Sequence, residues 1–173
     1  LRILLADDEA ILRLDLRELR KKSGGFFGSG ESTGSVGVVT INLPRIAYLA
    51  KDEADFYARL DHMMDIAARS LKIKRTVITN LLEAGLYPYT KRYLGSCDNH
   101  FSTIGLIGMN EVGLNANWLR KDLTHPETQK FAKEVLTHMR ERLSDYQEMY
   151  GDLYNLEATP AESTTYRFAK HDR

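Results

Sequence analysis

Apolar residues at helical spacing constrain this chain more than any other feature: Phe56, Leu60, Met63, Ala67 and Leu71, continued by Val77, Ile78, Leu81 and Leu82. Residues three and four apart share one face of an α-helix. The spacing therefore predicts one long amphipathic helix from Glu53 to about Ala84, which must bury that face. Asp52 is placed to cap its start, and Gly85 supplies its stop. Met63 and Met64 read as core filler. Lys72, Lys74 and Arg75 form a small basic cluster, read as a solvated face ahead of an anion contact. A second amphipathic helix is marked by Phe131, Val135, Met139 and Leu143. Thr124 is its candidate cap, Pro126 suits its first turn, and it ends near Tyr150 and Gly151. His138 lies one residue off the stripe and reads as a helix-edge residue, not a ligand.

Shorter elements stand between and before these helices. Val36 to Asn42 is rich in β-branched residues and predicts a buried strand. Leu43 and Pro44 stop it, and Pro44 opens a short helix through Ala50. Leu86 to Asp98 reads as a loop carrying Tyr87, Tyr89 and Tyr93. Phe101 to Met109 is strand or buried loop, and Asn110 to Arg120 a short helix. Leu1 to Ala6 reads as a short buried strand ending at Asp7, Asp8 and Glu9. From Ile11 to Lys22 two periods compete, and the leucine and arginine content favours helix over strand. Ser23 to Ser35 is a glycine-rich loop. It lacks the Lys-Ser/Thr pair of a Walker motif, so a linker or tight turn is favoured over a phosphate cradle.

Composition narrows the function. Lys plus Arg and Asp plus Glu both number 24 in the 173 residues. The zero net charge gives no sign of a nucleic-acid partner. No apolar run approaches the ~18 residues needed to cross a bilayer, so no membrane partner is expected. Leu1 to Leu5 run into acids and do not form a signal peptide. The first residue is not Met, as in a trimmed chain. One cysteine, Cys97, excludes an internal disulfide framework and an all-cysteine zinc site, and fits a reducing cytoplasm. Cys97 follows Gly95 and Ser96 and precedes Asp98, Asn99 and His100. This is a polar turn ahead of the apolar run Ile104 to Met109, which suggests a loop tip. From local sequence alone a small buried hydrophobe is favoured over a reactive thiol.

Four blocks in order carry a resemblance: Gly24-Gly-Phe-Phe-Gly28; Thr33-Gly-Ser-Val-Gly-Val-Val-Thr-Ile-Asn-Leu-Pro-Arg45; Asn99-His-Phe-Ser-Thr-Ile-Gly-Leu-Ile-Gly-Met-Asn-Glu111; and Asn155-Leu-Glu-Ala-Thr-Pro-Ala-Glu-Ser-Thr-Thr-Tyr-Arg-Phe168. Together they resemble the catalytic barrel of anaerobic (class III) ribonucleotide reductases over about residues 13–173. The resemblance implies an α/β fold, part of a ten-stranded α/β barrel. It implies reduction of ribonucleoside triphosphates to deoxyribonucleotides by thiyl and glycyl radical chemistry. On it, Cys97 is the finger-loop thiol that takes the 3′ hydrogen of the ribose, and Asn99 and Glu111 orient the sugar hydroxyls. Ser163, Thr164 and Thr165 form the loop that holds substrate phosphates, for which hydroxyls and free backbone N–H groups are suited. Glu157 and Glu162 read as surface carboxylates ahead of acid/base groups. The implied partners are a radical-SAM activase, an external reductant (formate or a thiol protein) and a second copy in a homodimer. No cofactor is expected within the chain, Mg²⁺ arriving with the nucleotide.

The family pattern is not complete in this sequence. A C-terminal glycyl-radical segment, a cysteine-rich zinc site and a second active-site cysteine are missing, and about half the barrel strands are expected to be absent. Residues 1–18 are similar instead to the start of a response-regulator receiver domain, with Asp7 and Asp8 in place of its Mg²⁺-holding acids. The division expected is a receiver-like segment over 1–12 and a reductase fragment over 13–173, joined as a chimera, natural or constructed; an apolar strand followed by acids arising by chance is the equal alternative. The alternative is a non-enzymatic signalling or engineered α/β domain; a purely structural chain is the third reading. The purified chain, given activase and reductant, is expected to form no deoxynucleotide; detectable product in a turnover assay would refute this.

Overall fold

The computed structural model describes residues 33–159 and 162–171. The receiver-like segment, Asp7, Asp8, the 11–22 element and nearly all of the glycine-rich loop lie outside them. The elements are β1 (Gly34–Asn42), α1 (Leu43–Leu49), α2 (Glu53–Glu83), α3 (Pro88–Leu94), β2 (His100–Ile107), α4 (Met109–Asn115), α5 (Pro126–Tyr150), β3 (Tyr154–Ala158) and α6 (Glu162–His171). The strands form one parallel sheet in the order β1-β2-β3. Parallel neighbours require crossovers, and here α1–α3 and then α4–α5 supply them.

The long helix forms as its spacing predicts. The Asp52 carboxylate accepts from Asp55 N at 2.8 Å, satisfying one of the free N–H groups of the first turn. The buried face holds Phe56, Leu60, Met64, Ala67, Ala68, Leu71 and Leu82. Met63 and Val77 do not belong to it. Both are exposed. Phe56 sits at the centre of an edge-to-face cluster with Tyr57, Trp118 and Phe131, an arrangement that adds to area burial. Beyond the apolar seam, α2 and α5 are tied by polar groups. His138 Nε2 meets Asp61 Oδ1 at 2.6 Å, and Arg142 Nη2 and the Tyr146 hydroxyl both donate to Asp65. His138 is thus an edge residue with a partner. The cap of α5 is His125, one residue later than Thr124.

Two segments differ from the sequence reading. The 86–98 loop contains α3, a helix with no buried residue that carries exposed Tyr89 and Tyr93. Its start at Pro88 is the signal that was available. The 101–109 segment resolves as a strand, and the helix after it stops at Asn115 instead of Arg120.

The basic cluster is divided by burial. Arg75 is 7% exposed. Its Nη1 donates to Cys97 O at 2.8 Å, and its Nη2 to His100 O at 2.5 Å and to Ser102 Oγ at 3.2 Å. Its Nε lies 3.6 Å from Asp152 Oδ1. Lys72 Nζ bonds Asp152 and the Tyr150 carbonyl, closing the end of α5. Arg75 therefore ties α2 to the entrance of β2 and to the turn before β3. A planar guanidinium can reach several acceptors at once.

The helices cover one face of the sheet. Alternation along each strand places Val39, Ile41, Ile104, Leu106, Tyr154 and Leu156 toward them, and all six belong to or pack on the core. The other face carries Val38, Thr40, Thr103, Gly105, Asn155 and Glu157, in register with one another. Exposure on this face is uneven: Val38 is 47% exposed, Thr40, Asn155 and Glu157 are half-buried, and Thr103 is only 2% exposed. Arg75→Met is expected to destabilise the fold by about 3 kcal/mol, because it strands buried carbonyls and a carboxylate. A change below about 1 kcal/mol in urea unfolding would show that the clamp is dispensable.

Candidate functional site at the exit edge of the sheet

Three strands running the same way end on one edge, and each is followed closely by a helix. Ligands of open parallel sheets bind beyond the carboxyl ends of the strands. At the end of β1, Asn42 accepts from Arg45 N at 3.1 Å and caps α1. At the end of β2, Gly108 turns the chain with φ +74°. A side chain there would overlap the Pro44 ring, so only glycine fits. Glu111 follows in the first turn of α4, its Oε2 just 3.3 Å from where that side chain would begin. At the end of β3, Thr159 N donates to Leu106 O at 3.2 Å, and α6 then begins at Glu162. Ser163, Thr164 and Thr165 thus lie in the first turn of a ten-residue helix. Ser163 and Thr165 are exposed and Thr164 is half-buried.

The open face leads to this edge. Glu157 pairs in register with Gly105. The Thr40 hydroxyl donates to the Thr159 hydroxyl at 3.3 Å. Ser35 and Thr103 share a hydrogen bond at 3.2 Å. Asn155 Oδ1 is shut off from solvent and has no hydrogen-bond partner among the described residues. Such a group is costly unless something else meets it. Sequence reading missed Thr40 and Gly105, while Thr159 opens the block, Thr159 to Thr165, that the family resemblance gives as the phosphate loop. The usable signal was a glycine inside a β-branched strand, which marks a close approach. Chemically the edge offers hydroxyls, backbone N–H groups and carboxylates. Among the described residues no three His, Cys, Asp or Glu side chains gather to hold a metal ion.

Cys97 and Asn99 are elsewhere. Both precede β2, at the entry edge. Glu111 and Ser163–Thr165 lie beyond the strand ends, at the exit edge. The eight residues of β2 separate the two, roughly 26 Å at ~3.3 Å per residue. The set Cys97, Asn99, Glu111 and Ser163–Thr165 is therefore not one site. Nor is Cys97 a tip thiol. It is 7% exposed, and its carbonyl accepts from Arg75 Nη1 and from His100 N. Glycine and serine ahead of it do mark a turn, in which Gly95, Ser96, Asp98 and Asn99 are exposed while the Cys97 side chain turns inward. Nearby, burial first and the Asp152 carboxylate second push the Tyr154 hydroxyl up to about 12, and it donates to Ala68 O at 3.1 Å.

A family model for anaerobic ribonucleoside-triphosphate reductase matches residues 9–173. The chain belongs to this reductase family. The Haemophilus influenzae anaerobic ribonucleoside-triphosphate reductase is 28% identical over 85% of this chain and 24% of its own length. The anaerobic ribonucleotide reductase of Thermotoga maritima with MES in the active site superposes with TM-score 0.74 at 28% identity, covering 82% of this chain and 24% of that one. The same Thermotoga enzyme in complex with dATP and CTP gives TM-score 0.68 at 29% identity, covering 78% and 23%. The chain thus spans about a quarter of the reductases it matches. Asp7 and Asp8 lie ahead of the reductase match. In the folded chain Cys97 is expected to react with a bulky thiol reagent at least ~100-fold more slowly than in urea. Equal rates would contradict its burial.

Proposed function

We propose that this chain forms adjoining strands of the catalytic barrel of an anaerobic ribonucleoside-triphosphate reductase, and that its exit edge holds the substrate triphosphate. The parent reaction is reduction of a ribonucleoside triphosphate to the deoxyribonucleotide. The observation that carries this is the sheet's asymmetry: one face packs on the apolar core, while the other is mostly polar, carries the orphaned Asn155 Oδ1 and runs toward the Ser163–Thr165 turn. Unpaired outer edges of β1 and β3 among the described residues suit a segment of a closed wall, since such edges need partners.

Ser163, Thr164 and the first backbone N–H groups of α6 bind the phosphates; the helix start favours negative charge. Glu111, on the same edge, takes the role of orienting the sugar hydroxyls in this proposal. Glu157 and Asn155 line the approach along the open face. The glycyl and thiyl radicals of the family supply hydrogen-atom abstraction. Cys97 does not fit that role, being closed off at the opposite edge, and no step is assigned to it. The activase, the reductant and a homodimeric partner belong to the whole enzyme. Nothing in the described residues favours the receiver-like alternative.

Ser163→Ala with Thr164→Ala is expected to weaken binding of CTP about tenfold or more in titration calorimetry, from the loss of hydrogen bonds to a charged group. Cytidine, without phosphates, should be unaffected, as should CTP binding by Cys97→Ser. Unchanged CTP affinity in the double variant would remove the phosphate role.

A further inference from the structure

Gly105 sits in the middle of β2, where a side chain would be expected to pack. Its empty side is filled from both neighbours. A Cβ there would overlap Thr159 Oγ1 and stand 3.3 Å from Thr40 Oγ1. Those hydroxyls bond each other at 3.3 Å across the glycine. Thr159 is also held by its backbone, N to Leu106 O at 3.2 Å. It is the last described residue before α6, three positions ahead of Glu162. The chain leaving β3 is thus fixed to both other strands, by main chain to β2 and by side chain to β1.

We propose that Thr40 and Thr159, seated over Gly105, form a latch that sets the position of the first turn of α6 and so its affinity for phosphate. This rests on the phosphate-binding reading of Ser163 and Thr164. The three are positioning residues and need not touch the nucleotide. Without the Thr40 hydroxyl, Thr159 loses its tie to β1 and its side chain is free to change rotamer. With a methyl at position 105, Thr159 is pushed off the sheet. Either change loosens the exit of β3 while leaving the helix-covered face as it was.

The test uses the 173-residue chain with Thr40→Val, Thr40→Ser and Gly105→Ala. Amide hydrogen exchange is read at Thr159 and at residues 163–165, with Ile104 and α5 as internal references, alongside Kd for CTP and for cytidine. Thr40→Val and Gly105→Ala are expected to speed exchange at these amides about tenfold, leave the references unchanged and raise Kd for CTP about tenfold, cytidine being unaffected. Thr40→Ser, which keeps the hydroxyl, should behave as the parent. Parent-like exchange and CTP affinity in Thr40→Val would overturn the latch. So would exchange that rises equally at the references, which marks a general loss of stability. If the parent chain binds CTP no better than cytidine, the phosphate reading falls and with it the affinity part of the proposal. The exchange data then decide by themselves whether the hydroxyl pair holds the turn.

Discussion

The guanidinium of Arg75 is the fixture on which the sheet depends. It projects, buried, from the last third of α2 and meets three acceptors on the entrance to β2. Asp152, ahead of β3, faces its Nε. A buried charge is tolerated only when its donors find partners. Here that requirement aligns the starts of two strands against one helix. The same arrangement closes the entry edge. Cys97 is sealed because its own carbonyl belongs to the set of acceptors that Arg75 needs.

With one edge closed, the proposed phosphate site falls on the other. Helices bury one side of the sheet, Arg75 and its acceptors occupy the entry edge, and what remains is the polar face and the exit edge. Small residues shape that exit. Gly108 takes a left-handed turn against Pro44, and Gly105 leaves room for Thr40 and Thr159 to meet. Both are places where a side chain would collide with another element. Neither reflects a need for flexibility.

Much of the fold was legible because local signals agreed with the long-range structure. The α2 stripe, the Asp52 cap and the Gly85 stop all point to one helix, and the Val36–Asn42 run to one strand. The four family blocks fall on β1, β2 with α4, and β3 with α6, apart from the first, which lies outside the described residues. What could not be read was the third dimension of polar residues. Lys72, Lys74 and Arg75 look alike in sequence, yet only Arg75 turns inward, because acceptors more than twenty positions away converge on it. Met63 and Met64 differ in burial by one helical step. The family resemblance grouped Cys97, Asn99 and Glu111, and the length of β2 then sets Cys97 and Asn99 at one end of the strand and Glu111 at the other.

On the proposed function, the polar face looks into a larger enclosure and the nucleotide lies at its exit edge. The most direct measurement is where a triphosphate lands: amide chemical-shift changes across the chain as CTP is added. Expected are changes grouped at Glu111, Glu157, Thr159 and Ser163–Thr165, with the entry edge silent. Changes centred on Cys97, Asn99 and His100 would contradict the assignment of the exit edge.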